Sequence, residues 1–322
     1  MSFVLATALE HGAKHNLPAP LDSWARSALE CVRHGCFQRS LSLIVASTSV
    51  ASGLEVGYEH YKGSYSNPVM YTPVGLSAAL AASGVIGALS RRGARTVLRW
   101  VSIVTLADGV IGFFFHVRGI ARKPGGWGLP VTNIVMGPPI FAPLLFGTSA
   151  YLGLIASYLQ REEDLRRPGR TIDEVARELI EPHPDWRTNL RHGRFQKHLS
   201  ALTVLWAFFS GFEALYSHYK SNFGYKVQWT PVLLTPLLMA SAAGAIKSKR
   251  VANTLLPAAS ALALVNGGIG FFYHARGIVR RPGGVKKPLY NILYGPPIFA
   301  PLLFAACGFL GLMASLLRRE RT

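Results

Sequence analysis

The run GFFFHVRGIARKPGG sets His116 at the end of an apolar stretch and follows it with Arg118, Arg122 and Lys123. Moving on 158 positions, GFFYHARGIVRRPGG does the same with His274, Arg276, Arg280 and Arg281. A second pair of histidines, His60 in EHYK and His218 in SHYK, recurs at the same offset. Imidazole binds protons and metals near neutral pH, so these four side chains are candidate ligands. On a helix, positions three to four and seven residues earlier share a side chain's face. These are Gly112 and Gly109 before His116, Gly270 and Gly267 before His274, and, seven back, Gly53 before His60 and Gly211 before His218. Glycines there either let a neighbouring helix approach closely or leave a slot beside the imidazole. A slot suits a flat macrocycle. The corresponding expectation is a b-type haem held by His60 with His116 and a second by His218 with His274, with Arg118 and Arg276 meeting the propionates.

The same residues admit other chemistry. Glu55, His60 and His116, with Glu213, His218 and His274 as the second set, form a two-histidine, one-carboxylate group suited to iron or another divalent metal. Glu55 and His60 are five residues apart, about 140° around an ideal helix, so one ion reaches both only if the helix end unwinds. The alternative for each glutamate is a hydrogen bond from the tyrosine one turn on, Tyr58 or Tyr216. Asp108 falls near the middle of an apolar run and is a proton or substrate candidate, or else a hydrogen-bonded buried carboxyl; its counterpart is Asn266. His34 with Gln38, and His192 with Gln196, read as sharing a helix face where an apolar run begins, which suits capping or interface contact. The chain contains no HExxH pair, no cysteine-based metal motif and no glycine loop of the phosphate-binding type. Cys31, Cys36 and Cys307 have no paired spacing.

The elements that must position these residues are membrane helices. Half of the 322 residues are hydrophobic and 16% are charged, too apolar for an ordinary soluble domain of this length. Apolar runs at about 41–61, 69–90, 100–117, 138–159, 199–219, 229–246, 253–274 and 296–317 are near the length that crosses a bilayer, so the expectation is eight spans. The offset of 158 holds without a gap from RHGCFQ and RHGRFQ to GPPIFAPLLF in both copies. The fold expected is therefore all-α and integral to the membrane, a tandem parallel repeat of two four-helix units. Its expected parts are an amphipathic segment at 1–32, a first repeat at 33–160, a linker at 161–190 and a second repeat at 191–322. Asp22 and Ser23 are possible caps in the first segment. Thr171 and Glu174 have capping-box spacing for a short helix in the linker. Each Gly-Pro-Pro precedes a fourth span, which Pro143 and Pro301 are positioned to bend.

Charge orients the chain. Placed on alternate sides of eight spans, roughly two thirds of the 34 lysines and arginines fall on the side of the two termini, which the positive-inside rule assigns to the cytoplasm. The start of the chain lacks the basic residues of a cleavable signal, and the expected location is the inner (cytoplasmic) membrane. His60 and His116 then end outward-running helices at one outer level, where they can face each other. The function expected is a redox subunit that passes electrons between an extracytoplasmic redox protein and a quinone or another subunit. Nucleic acid is not expected as a partner, because the net charge of +18 is accounted for by topology. A transporter or channel for an anionic or protonatable solute, and a structural subunit whose polar residues lock its helices, are the competing readings.

Overall fold

The computed structural model describes residues 19–166 and 185–320, and every regular element among them is helical. The expected linker helix at Thr171 lies outside the described residues. Helix α1 (Ala19–Arg33) begins ahead of Asp22 and Ser23, which therefore lie within its first turns and are not caps before it. Its second residue is Pro20, tolerated where a helical amide has no partner in any case.

Six helices are long and apolar enough to cross a bilayer. In the first half they are α2 (Gln38–Lys62), α3 (Thr72–Leu89) and α4 (Arg99–Ala121), the last approached through a π-helical turn at Ala94–Leu98. After the short α5 (Pro130–Val135), the run expected to span at 138–159 stays non-helical through Gly-Pro-Pro-Ile, and α6 covers Ala142–Ala156. A second short helix, α7 (Trp186–Arg191), leads to α8 (Gln196–Lys220), α9 (Trp229–Lys247), α10 (Lys249–Asn253) and α11 (Leu255–Val279). The chain ends with α12 (Pro288–Leu293) and α13 (Ala300–Leu316). At 15 and 17 residues, α6 and α13 are shorter than the expected spans. Proline explains the difference: Pro138 and Pro139, or Pro296 and Pro297, have no amide to donate, and Pro143 and Pro301 sit in the first helical turn, which they begin and do not bend.

In the first half α2, α3, α4 and α6 pack in a closed four-helix arrangement, and α8, α9, α11 and α13 do so in the second. The two arrangements meet where α6 lies on α8, and one apolar core runs through both. Burial is inverted relative to a soluble bundle. Phe114, Leu233 and Val265 are 60–66% exposed, whereas Ser42, Ser102, Thr105, Ser200, Thr203 and Ser260 are fully buried. Large apolar side chains outside and small hydroxylated ones between helices are what contact with a lipid bilayer selects.

At the end of the molecule that carries Arg33 and Arg191, two tight turns lie back to back. Gly35 and Gly193 both have positive φ, +73° and +68°, and a Cβ on Gly35 would stand 2.5 Å from the Arg191 carbonyl oxygen. These turns correct the expectation for His34 and His192: each sits in the turn, and Gln38 or Gln196 opens the next helix, so histidine and glutamine share no helix face. Gln38 instead donates to Ser42 Oγ and the Gly87 carbonyl, and Gln196 to Ser200 Oγ and the Ala245 carbonyl. Helices α2 and α8 start at Phe37 and Phe195, which offer no side-chain cap. Remote carboxylates complete both ends: Glu162 accepts from the Arg39 and Ser40 amides, and Glu320 from those of Lys197 and His198. No disulfide joins Cys31, Cys36 or Cys307 among the described residues.

Replacing Gly35 by Ala is expected to destabilise the protein by at least about 1–3 kcal/mol, because both the left-handed backbone and the opposing carbonyl disfavour a Cβ. Gly75, within α3 and with open space around its Cβ position, is the control: Gly75→Ala should stabilise by about 0.5–1 kcal/mol. Thermal unfolding in detergent reads both, with midpoints moving in opposite directions.

Candidate functional site

The four histidines lie at the opposite end of the molecule from the glycine turns, each near the C-terminus of its helix: His60 on α2, His116 on α4, His218 on α8 and His274 on α11. Their ring orientation is set by backbone carbonyls. His116 Nδ1 lies 2.5 Å from the Pro139 oxygen, His274 Nδ1 2.5 Å from that of Pro297, and His60 Nδ1 2.6 Å from that of Met70. A carbonyl only accepts, so Nδ1 carries a hydrogen, and in the neutral imidazole the lone pair is then on Nε2. His218 Nδ1 faces the backbone of Gln228 without completing a hydrogen bond. The carbonyls of Pro139 and Pro297 are free for this because the chain is non-helical there.

The glycine faces have a definite use. A Cβ on Gly109 would stand 2.8 Å from the Pro143 carbonyl oxygen, and one on Gly112 3.0 Å from the Pro143 ring. Gly267 and Gly270 meet Pro301 in the same way, at 2.7 and 2.9 Å, and Gly53 and Gly211 meet Ser77 and Thr235. Of the two uses open to those glycines, these contacts are close helix approach. Arg118 and Arg276 are exposed two residues beyond their histidines, on the far side of the same helix, and make no ion pair among the described residues.

Glu55 and Glu213 do not join the histidines, and among the described residues no three histidine, cysteine or acidic side chains gather closely enough to hold a metal ion. The angular separation on the helix persists because the helix end does not unwind. Each glutamate instead takes the tyrosine one turn on, and something the sequence did not reveal. Tyr58 Oη donates to Glu55 at 2.7 Å, and the Phe299 amide donates to its second oxygen at 3.1 Å. Glu213 accepts from Tyr216 Oη and, at 2.6 Å, from the Phe141 amide. Phe141 and Phe299 are the uncapped starts of α6 and α13, so the carboxylate of each half closes a helix of the other. Phe141 also stacks on Phe209, with centroids 4.5 Å apart, and meets Phe212 edge-on. The repeated GPPIFAP was the available signal for these positions, but nothing in it names the partner.

Asp108 ties α3 to α4 through Thr72 Oγ1 at 2.6 Å, beside a groove of about 460 Å³ lined by Tyr71, Val104 and Ile111. In the second half Asn266 donates to Thr230 Oγ1 at 2.6 Å, and that hydroxyl donates to the Val227 carbonyl. Thr72 Oγ1 is the donor to Asp108 Oδ1 and also faces the Val69 carbonyl at 2.9 Å. No protein-family model, curated protein or solved structure matches this chain.

Asp108→Asn should reproduce the second-half tie and leave the thermal midpoint unchanged or raised. Asp108→Ala should cost about 1 kcal/mol by leaving Thr72 without its cross-helix partner. A large loss with asparagine would show that the carboxylate itself is required.

Proposed function

We propose that the chain is a membrane redox subunit in which His60 with His116, and His218 with His274, would hold two b-type haems. One observation carries this reading: two histidines at the same end of each four-helix arrangement, with Nδ1 engaged by a backbone carbonyl in three of the four and, among the described residues, no group of three donors there. A second-sphere carbonyl on Nδ1 is the usual support of a ligating histidine, since it fixes the tautomer and aims Nε2. Two histidines are half of a set for a bare ion but the complete protein contribution to a bis-histidine haem. The glycine faces do not supply the ring's space, because Pro143 and Pro301 fill them. The fit therefore rests on the donor set, with Arg118 and Arg276, exposed and without an ion pair among the described residues, as the cations available to carboxylates. A haem would supply one-electron chemistry; this chain's residues would orient the imidazoles.

In this reading the two halves are a tandem parallel repeat of eight spans, with α6 and α13 as the short fourth members of each unit. Ties that recur 158 residues apart support it, among them Gln38 with Gln196 and Glu162 with Glu320. The termini would be cytoplasmic in the inner membrane and the histidines extracytoplasmic. Both sites would then lie at one level, so electrons would pass between an outer redox protein and a quinone or another subunit. The turns beyond the histidines carry Arg122, Lys123, Arg280 and Arg281 and are pinned by Asn133 and Asn291, which donate to the Gly126 and Gly284 carbonyls. A rigid basic surface there favours an acidic partner.

A second reading is favoured by the non-helical starts of α6 and α13. Helix N-termini that meet embedded carboxylates are a means of binding anions or protons in transporters, and Glu55 and Glu213 occupy that position. The oxidised-minus-reduced visible spectrum of the purified protein, with total iron on the same sample, separates the two. Reduced haem bands at about two haems per chain, halved by His116→Ala and abolished when His274→Ala is added, are expected. A colourless protein made under haem-replete conditions would overturn the redox reading and leave transport.

A further inference from the structure

At the end of the molecule opposite the histidines, Arg95 and Arg99 at the start of α4 converge with Arg187 and Arg191 of α7 on a pocket of about 220 Å³. Neutral groups hold their orientation. Arg99 donates from Nε to Ser157 Oγ and from Nη2 to the Ser157 carbonyl, both at 3.1 Å, and its guanidinium lies 4.2 Å from the centroid of Tyr158. Trp186 meets Tyr158 edge-on at 5.2 Å and carries Arg187 over its own ring, also at 5.2 Å. None of the four arginines makes an ion pair among the described residues. Asp185 accepts from the Thr188 amide at 2.8 Å and caps α7, and the charge of Arg187 helps hold its carboxyl below the usual range. Four like charges converge on one pocket against their mutual repulsion.

Packing of a four-helix unit does not require this group, because only one of its four arginines recurs at the 158-residue offset. The residues 158 positions after Arg95, Arg99 and Tyr158 are Asn253, Pro257 and Leu316, and those 158 before Arg187, Thr188 and Arg191 are Leu29, Glu30 and Arg33. The backbone differs as well. The π-helical turn at Ala94–Leu98, which sets the direction of Arg95 and Arg99, has no counterpart in the second half, where the chain breaks at Thr254 between α10 and α11. Single π turns recur where a helix redirects side chains for function.

We infer that this pocket binds a phosphate group, carried by a lipid headgroup or by a soluble phosphate. Planar guanidinium forks match phosphate oxygens in pairs, and several arginines around one concavity select a multiply charged tetrahedral anion over chloride. The pocket lies at the end assigned above to the cytoplasm, where both sources are at hand.

The test titrates the intact protein in a phosphate-free detergent at constant ionic strength with two probes, inorganic phosphate and phosphatidylglycerol, reading Trp186 fluorescence and the thermal midpoint. Saturable binding of either probe is expected, weakened about tenfold or more by Arg187→Gln with Arg191→Gln, both exposed. Lys249→Gln with Arg250→Gln, at the same end of the second half, should leave it unchanged. A response to phosphate alone identifies a soluble ligand, and one to phosphatidylglycerol alone a lipid headgroup. Arg95→Gln, on a separate element, repeats the test should the double variant fail to fold. Binding of neither probe, or equal binding by the arginine variants and the controls, would overturn the inference.

Discussion

A helix that starts without a side-chain cap leaves amides that must find an acceptor, and in an apolar surrounding that requirement is severe. Four major helices here start at phenylalanine: α2 at Phe37, α6 at Phe141, α8 at Phe195 and α13 at Phe299. A distant glutamate completes each. Negative charge at a helix N-terminus is doubly favoured, by the hydrogen bonds and by the helix dipole. Glu162 and Glu320 close their own halves, whereas Glu55 and Glu213 reach across to the other half. The histidines depend on the second kind. Glu213 holds the Phe141 amide, two residues after the Pro139 carbonyl that orients His116; Glu55 holds Phe299, two residues after the Pro297 carbonyl that orients His274. Each half thus steadies the histidine of the other.

Much of this was legible in the sequence, and the limits have physical causes. Helical period and apolar length located the long helices and placed the histidines at their ends. They also foretold the Glu55–Tyr58 and Glu213–Tyr216 contacts, which are one turn apart on one helix. Period says which residues share a face but not what that face meets. The glycines before His116 were therefore compatible with a slot or a neighbour until Pro143 was seen against them. The same limit hid the amides of Phe141 and Phe299, whose acceptors come from the other half. His34 and Gln38 looked like helix neighbours only because periodicity was carried through Gly35, whose left-handed backbone ends the helix.

The halves agree in what holds them and differ in what can react. The glutamate caps, the glycine turns and the histidine pairs occur in both. Asp108 corresponds to Asn266, Glu59 to Ser217, and three of the four pocket arginines to residues that are not basic. Contacts recur where the sequence recurs, and the unmatched polar residues are where the halves differ.

The claim on which this account turns is that the crossed glutamates bind the halves together. Cleaving the folded protein at a protease site inserted within residues 167–184, followed by size-exclusion chromatography in detergent, tests it directly. The halves should stay together in the wild type and separate when Glu55→Ala and Glu213→Ala are combined. Halves that part in the wild type, or that remain together equally well without both carboxylates, would contradict it.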